Sequence, residues 1–248
     1  IHAPWPEEMN RRLADTICDM LFTPTASSRL NLINSGFSNE SIFVTGNTVI
    51  DALLHISQQL DNKNYLEKEY HAKFPKLSRE KKIILVTGHR RENFGKGFAS
   101  VCDALRQLAL RSDIEIVYPV HLNPNVKGPI EQQLGHSKHI ILTPPVDYLP
   151  FVALMKRADI IITDSGGIQE EAPSIGKPLL VMREVTERPE AIEAGPVKLV
   201  GTDTGKIVSE ATRLLDDKNA YREMSVAHNP YGDGNASTRI LEELRRVQ

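Results

Sequence analysis

The chain holds only two cysteines, Cys18 and Cys102, in 248 residues. That is too few for a disulfide-stapled scaffold, and neither has the partners of a zinc ribbon. Both fall in helical patterns far apart in sequence and are expected as buried free thiols in a reducing cytoplasm. No cluster of His, Cys and carboxylates has metal-ligand spacing, so no metal is expected. No apolar run approaches the roughly 20 residues that a bilayer span needs, so no membrane association is expected. A formal net charge of -2 gives no electrostatic pull toward nucleic acid or an anionic membrane. Internal repeats, low-complexity tracts, an initiator Met and a signal peptide are all lacking. The opening Ile1-His2-Ala3-Pro4-Trp5-Pro6 reads as the interior of a longer protein.

What is present is ordinary globular material, 40% hydrophobic and 25% charged, enough for one large or two smaller domains without staples. Short β-branched runs alternate with amphipathic helical runs. Strands are expected at Leu21–Thr25, Ile42–Thr45, Ile83–Thr87, Ile114–Pro119, Ile140–Thr143, Ile160–Thr163, Pro178–Met182 and Val197–Val200. Most are near-continuously apolar, as when helices cover both faces of a parallel sheet. The clearest helix sets Phe98, Val101, Cys102, Leu105, Leu108 and Ala109 on one face. Others are expected over Thr48–Gln59, Tyr65–Ala72, Leu149–Lys156, Lys206–Leu215 and Ser237–Arg246. The alternation predicts an α/β fold with Rossmann-like, doubly wound parallel sheets. The stretch from Gln58 to Lys82 is polar and lacks a strand. It separates a short first part from a longer, regular βα run, so Ile1–Thr45 is read as the remnant of one domain and Gly46 onward as a second.

The segment from Ile160 to Glu171, IIITDSGGIQEE, reads as a buried strand, a tight glycine turn and a helix start. In an open α/β sheet such a turn sits where ligands bind. Glycines allow close backbone approach, and the helix start offers N–H groups and a positive dipole end to an anion. Glu170 and Glu171 follow within reach of a sugar hydroxyl. A phosphate-bearing ligand, a nucleotide, fits this pattern; a plain βα turn with acidic residues near a helix start fits it as well. After Ile83–Thr87 comes Gly88-His89-Arg90-Arg91, where His and forked Arg donors could bind a diphosphate or form a solvated basic turn. After Ile114–Pro119 comes Val120–Val126, with proline-fixed turns expected and His121 as a structural or a binding residue. Arg188, beyond Pro178–Met182, either points into a cleft or pairs with a neighbouring Glu. Pro4–Arg11 sets Glu7 and Glu8 at a helix start, for dipole complementarity or for acid/base chemistry. Asn229–Gly234 is a turn signal.

Read together, these segments form a known pattern. PWPEEMNR, TGNTVIDALL, VTGHRRENFG, YPVHLNPNV, DSGGIQEEAPSIGKP, TERPEA and NPYGDG occur in that order. They resemble the non-hydrolysing UDP-N-acetylglucosamine 2-epimerases of bacteria, from Pro4 to the last helix. The resemblance implies a two-domain, GT-B-like architecture with most of the N-terminal domain absent. Residues 1–45 and the helix 239–248 would then belong to that N-terminal domain, and residues 46–238 would form the UDP-binding domain. A GTRPE-like phosphate loop and further catalytic carboxylates, which the family carries before the position of Pro4, are not here, so this chain alone is not expected to catalyse.

The activity implied is reversible conversion of UDP-N-acetylglucosamine to UDP-N-acetylmannosamine for cell-surface polysaccharide precursors. UDP is eliminated as the carbon 2 proton leaves, and is then re-added with the proton on the other face. No cofactor is consumed. By the same resemblance Glu7 and His89 are catalytic, His89 lying at the diphosphate. Phe151 and the backbone near Val146 contact uracil, and Ser165, Gly166 and Gly167 form the phosphate turn. Glu171 binds ribose and Arg188 is a further nucleotide contact. Arg90 and His121 resemble residues that hold a second UDP-N-acetylglucosamine as activator. The implied partners are UDP-N-acetylglucosamine, UDP and a second copy in a cytoplasmic homodimer, with no nucleic acid. Two alternatives stay open: a GT-B glycosyltransferase or hydrolysing relative, and a non-catalytic nucleotide-sugar sensor.

Overall fold

A computed structural model of the chain describes residues 6–61, 70, 73–88, 90, 95–226 and 228–246, Asn125 by its backbone only. The contacts divide it into two compact units, Ile1–Asp51 with Tyr231–Gln248, and Ala52–Pro230.

The first unit contains α1 (Glu7–Thr16), β1 (Leu21–Thr23), α2 (Ala26–Asn34), a 3-10 turn at Asn39–Ser41 and β2 (Ile42–Val44). It also takes in the start of α3 (Thr48–Asp61) and, at the other end of the chain, α11 (Ala236–Arg246). β1 and β2 pair in parallel, Leu21 opposite Ile42. Leu21, Leu32 and Ile42 form the small core between this ribbon and α2. Asp51 joins the distant ends of the unit: its carboxylate accepts from the Ala236 and Ser237 N–H groups at 3.1 and 2.7 Å. Those are donors that a helix start otherwise leaves without partners. Gly46, at φ 89°, takes a conformation that disfavours side chains, and a Cβ there would meet the Gly232 Cα at 3.4 Å.

The second unit is built on a six-stranded, all-parallel sheet. Its strands are β3 (Lys82–Thr87), β4 (Ile114–Pro119), β5 (Ile140–Thr143), β6 (Ile160–Thr163), β7 (Leu179–Val181) and β8 (Val197–Leu199). The helices between them are α4 (Lys96–Leu108), α5 (Pro124–Leu134), α6 (Tyr148–Arg157), α7 (Gly166–Ser174), α8 (Pro189–Glu193), α9 (Thr204–Asp216) and α10 (Lys218–Ser225). Side chains alternate across a strand. Ile84, Val86, Ile114, Ile116, Ile160 and Ile162 therefore pack to one side, against α4, α5, α9 and α10. Ile83, Leu85 and Ile161 point the other way and are equally buried, on the side where α6 meets β3 and α7 meets β7. Full burial of each such aliphatic side chain favours the folded state by roughly 1.5–3 kcal/mol.

All eight expected strands form, and the α/β doubly wound fold is as read from the sequence. The expected helix over Tyr65–Ala72 lies outside the described residues apart from Tyr70. Two expectations are corrected. Cys18 is exposed and lies beyond the end of α1, while Cys102 is buried on α4 as expected. The stretch at Val120–Val126 is not all turn, because α5 begins at Pro124; proline suits a first helical position, where its missing N–H has no intrahelical partner to lose. Among the described residues no helix is long and apolar enough to cross a membrane.

Candidate functional site

The strand order β5-β4-β3-β6-β7-β8 fixes where a crevice opens at the sheet's edge. The chain winds outward from β3 to β5, returns to β6 beside β3, and winds outward the other way to β8. At such a reversal the loops leaving the two central strands part in opposite directions, and a crevice opens at their carboxyl ends. Here the central strands are β3 and β6, in register with Thr87 opposite Thr163. The hydroxyls of those two threonines share a hydrogen bond of 2.6 Å. The loops beyond them begin at Gly88 and Asp164, inside the motifs VTGHRRENFG and DSGGIQEEAPSIGKP.

A cavity of about 200 Å³ lies there, lined by Thr87, Gly88, Pro119, His121, Pro145, Val146, Phe151, Ser165 and Ile168. It unites Val146, Phe151, Ser165 and His121, residues spread over 45 positions of sequence. Its floor depends on Gly88: a Cβ at that position would lie 2.9 Å from the Tyr118 hydroxyl and 3.2 Å from the Met182 methyl. The Tyr118 hydroxyl donates to the Gly88 carbonyl at 2.9 Å, and burial holds its pKa well above the usual phenol range.

α7 opens beside this cavity. Ser165, at its N-cap, has extended backbone and makes no side-chain cap bond, so the helix start presents main-chain N–H groups to an anion. Arg90 comes from the facing loop. Its N–H donates to the buried Asp164 carboxylate at 2.8 Å, and a Cβ on Gly166 would lie 3.7 Å from its Nη2. Its Nη1 stands 3.6 Å from Glu187. Arg183, itself buried, grips the same Glu187 through two bonds of 2.5 and 3.1 Å and holds that carboxyl down at about 2. A guanidinium, a helix start and a glycine turn therefore meet at one strand end. Gly166 is half-buried and Gly167 exposed.

The two carboxylates after the turn are both buried and have different partners. Glu170 pairs with the Arg188 Nε, so Arg188 does pair with a Glu, one carried by α7. The Arg188 N–H is held by Thr186 at 3.0 Å, and Thr186 in turn donates to Gln169 at 2.5 Å. Glu171 accepts from the Tyr148 hydroxyl at 2.7 Å. Burial pushes its carboxyl up, the phenol bond pulls it back, and the neighbouring Glu170 charge pushes it up again. Asn229 reaches α7 from the far end of the unit, donating to the Glu170 carbonyl at 2.9 Å.

His89 lies outside the described residues. Glu7 is exposed in the first turn of α1, in the other compact unit. Its neighbour Glu8 pairs with Arg11 and Arg12, and Arg11 pairs with Asp15 as well. Among the described residues no group of His, Cys, Asp and Glu could hold a metal ion. Sequence reasoning passed over Asp164, Tyr148 and the Arg183–Glu187 pair. Asp164 sat inside the most informative motif, and Tyr148 stood one helical turn before Phe151, so a signal was present for both. Arg183 and Glu187 lie in a charged stretch beyond β7, where sequence alone does not show which guanidinium faces which carboxylate.

An aromatic side chain, an uncapped helix start, an arginine and two buried carboxylates thus gather near the carboxyl ends of β3 and β6. The sequence pattern of the family described as UDP-N-acetylglucosamine 2-epimerase matches residues 1–245. The UDP-N-acetylglucosamine 2-epimerase of Escherichia coli K12 is 57% identical over 246 residues, which cover 99% of this chain and 65% of that protein. The chain thus spans just under two thirds of that relative's length. The solved UDP-GlcNAc 2-epimerase of Neisseria meningitidis bound to UDP-GlcNAc superposes with a TM-score of 0.93 at 45% identity, over 99% of this chain and 66% of the other. The S. aureus MnaA–UDP structure superposes at 0.87 with 43% identity, over 98% and 65%. Motifs, sheet order and these likenesses agree, and the chain belongs to the UDP-N-acetylglucosamine 2-epimerase family.

Proposed function

We propose that this chain supplies the UDP-binding part of a non-hydrolysing epimerase that interconverts UDP-N-acetylglucosamine and UDP-N-acetylmannosamine. The observation that carries the reading is the crevice between the β3 and β6 loops, where Phe151, the α7 start and Arg90 converge. In this assignment uracil packs on Phe151 beside the Val146 backbone, and Glu171 accepts from the ribose hydroxyls. The diphosphate takes the N–H groups of Ser165, Gly166 and Gly167 together with His89, and Arg188 is a further nucleotide contact. Charge-assisted bonds from N–H groups and an arginine suit a diphosphate both as substrate and as leaving group.

The chemistry asked of the site is modest in its parts. A base takes the carbon 2 proton as the carbon 1–oxygen bond breaks, leaving UDP and 2-acetamidoglucal. The reverse addition returns a proton to the opposite face. The carbon 2 proton is weakly acidic, so the base must be positioned, and Glu7 is assigned that acid/base work. Elimination followed by addition is redox-neutral and consumes no cofactor. Arg90 and His121 are assigned to a second UDP-N-acetylglucosamine acting as activator; their support is that both lie at the same strand ends as the nucleotide site. Cytoplasmic location, a homodimer, a supply role for cell-surface polysaccharide, and membership of residues 1–45 and the last helix in a second Rossmann-like domain are parts of the same proposal.

Incubating UDP-N-acetylglucosamine with the intact gene product in heavy water tests the reading. Substrate and product should each gain one deuterium at carbon 2. Sugar transfer that depends on an acceptor, release of free sugar, or binding without exchange would each replace it, pointing to a glycosyltransferase, a hydrolase or a sensor.

A further inference from the structure

Glu170 and Glu171 are adjacent, both buried, and unlike in what holds them. Glu170 meets a guanidinium. Glu171 meets the phenol of Tyr148 at 2.7 Å. A phenol neutralises nothing; what it supplies is a directed donor that favours the ionised carboxylate. One such bond uses one of the roughly four lone-pair sites of a carboxylate and leaves acceptor capacity for other hydroxyls. Tyr148 shares its helix with a residue that lines the cavity. It is the first residue of α6, and Phe151 follows on the same helix, at the three-residue spacing that brings side chains onto one face. The same helix start therefore carries the aromatic wall of the cleft and the hydroxyl that fixes the buried acceptor.

We propose that Tyr148 is the positioning residue of the ribose subsite, its hydroxyl holding the Glu171 carboxylate ready to accept from the ribose hydroxyls of UDP. The proposal rests on the assignment of Glu171 to ribose made above. Burial, and then the bond to Glu171, hold the Tyr148 phenol above its ordinary range, so it stays a donor near neutral pH. The groups facing Glu171 are this phenol from α6 and Glu170 on its own helix, the latter paired with Arg188 from the segment before α8. Removing the phenol takes away the influence that lowers the Glu171 pKa. Acidification should then protonate the acceptor at a higher pH than in the unaltered chain.

The simpler role for such a bond is to pin α6 against α7, and ligand chemistry separates the two. Calorimetry of the 248-residue chain, with and without Tyr148→Phe, is run against UDP and 2′,3′-dideoxy-UDP. The unaltered chain should prefer UDP. Tyr148→Phe should weaken UDP about three- to ten-fold, as for loss of one hydrogen bond, leave dideoxy-UDP unchanged, and move the acid loss of UDP binding to higher pH. Equal weakening of both ligands, or of neither, overturns the proposal and leaves the bond as helix packing. Equal affinity of the unaltered chain for both ligands overturns the ribose assignment of Glu171, and the proposal with it. Failure to bind UDP at all overturns the nucleotide reading itself.

Discussion

Asp164 illustrates how much one side chain can organise. Its fully buried carboxylate accepts the Arg90 N–H and so holds the β3 loop against the β6 loop across the crevice. Glu187 does related work in a more open setting, between Arg183 and Arg90. Its carboxyl lies at about 2, against an ordinary 4.5. A depressed pKa contributes stability above the unfolded value, and that contribution is lost as pH falls through the folded one. Glu187→Gln should therefore cost stability at pH 7 and cost nothing near pH 2, measured by urea unfolding across that range. More than a third of the Glu187 side chain is exposed, so the cost at pH 7 should be about 1 kcal/mol or less. Glu171→Ala removes a charged acceptor worth roughly 1.5–3 kcal/mol, and should weaken UDP binding about ten-fold or more with a smaller effect on unfolding. Unchanged affinity with lowered stability would return Glu171 to a packing role. The two thiols should differ sharply toward a disulfide reagent at pH 8. Cys18 is exposed and should react at once, whereas burial holds the Cys102 thiol up at about 11, so it should react only on unfolding.

Strands were the legible elements, and the reason is physical. Ile160, Ile161 and Ile162 are buried on both faces of the sheet, so burial demands an unbroken apolar run that shows in the sequence. α4 and α9 were legible because each buries a single face, Phe98 to Leu108 and Ile207 to Leu215. α2 and α10 were not read: α2 buries only Leu32, and α10 only Ala220 and Met224, too little to set up a periodic signal. In the site, strand-end position was readable from the motifs, but partners such as Tyr148 for Glu171 depend on helices 23 residues apart in sequence. The glycine after β3 supplies a test at this scale. Gly88→Ala would force a methyl against the Tyr118 hydroxyl at 2.9 Å, beneath a buried ring that cannot move freely. It should cost about 1–3 kcal/mol in stability, read by urea unfolding, and should also reduce UDP affinity. Wild-type stability would mean that the loop re-routes without cost.

At the scale of the whole molecule, the residues assigned to the nucleotide, Val146 to Arg188, belong to one compact unit, Ala52–Pro230. Glu7 belongs to the other, and the chain spans 65% of the length of its E. coli relative. Nucleotide binding and turnover should therefore come apart. The 248-residue chain should bind UDP yet produce no UDP-N-acetylmannosamine, because acid, base and diphosphate donors must be held together around an excluded-water site for the chemical step. The intact gene product with Glu7→Gln should likewise keep nucleotide affinity and lose turnover, since glutamine keeps the shape but cannot exchange a proton. Calorimetry of the 248-residue chain with UDP, GDP and free N-acetylglucosamine tests directly whether the crevice between β3 and β6 binds UDP. UDP should bind most tightly, GDP more weakly and the free sugar least. GDP binding as tightly as UDP would contradict the uracil assignment at Phe151, and no binding of any nucleotide would contradict the site.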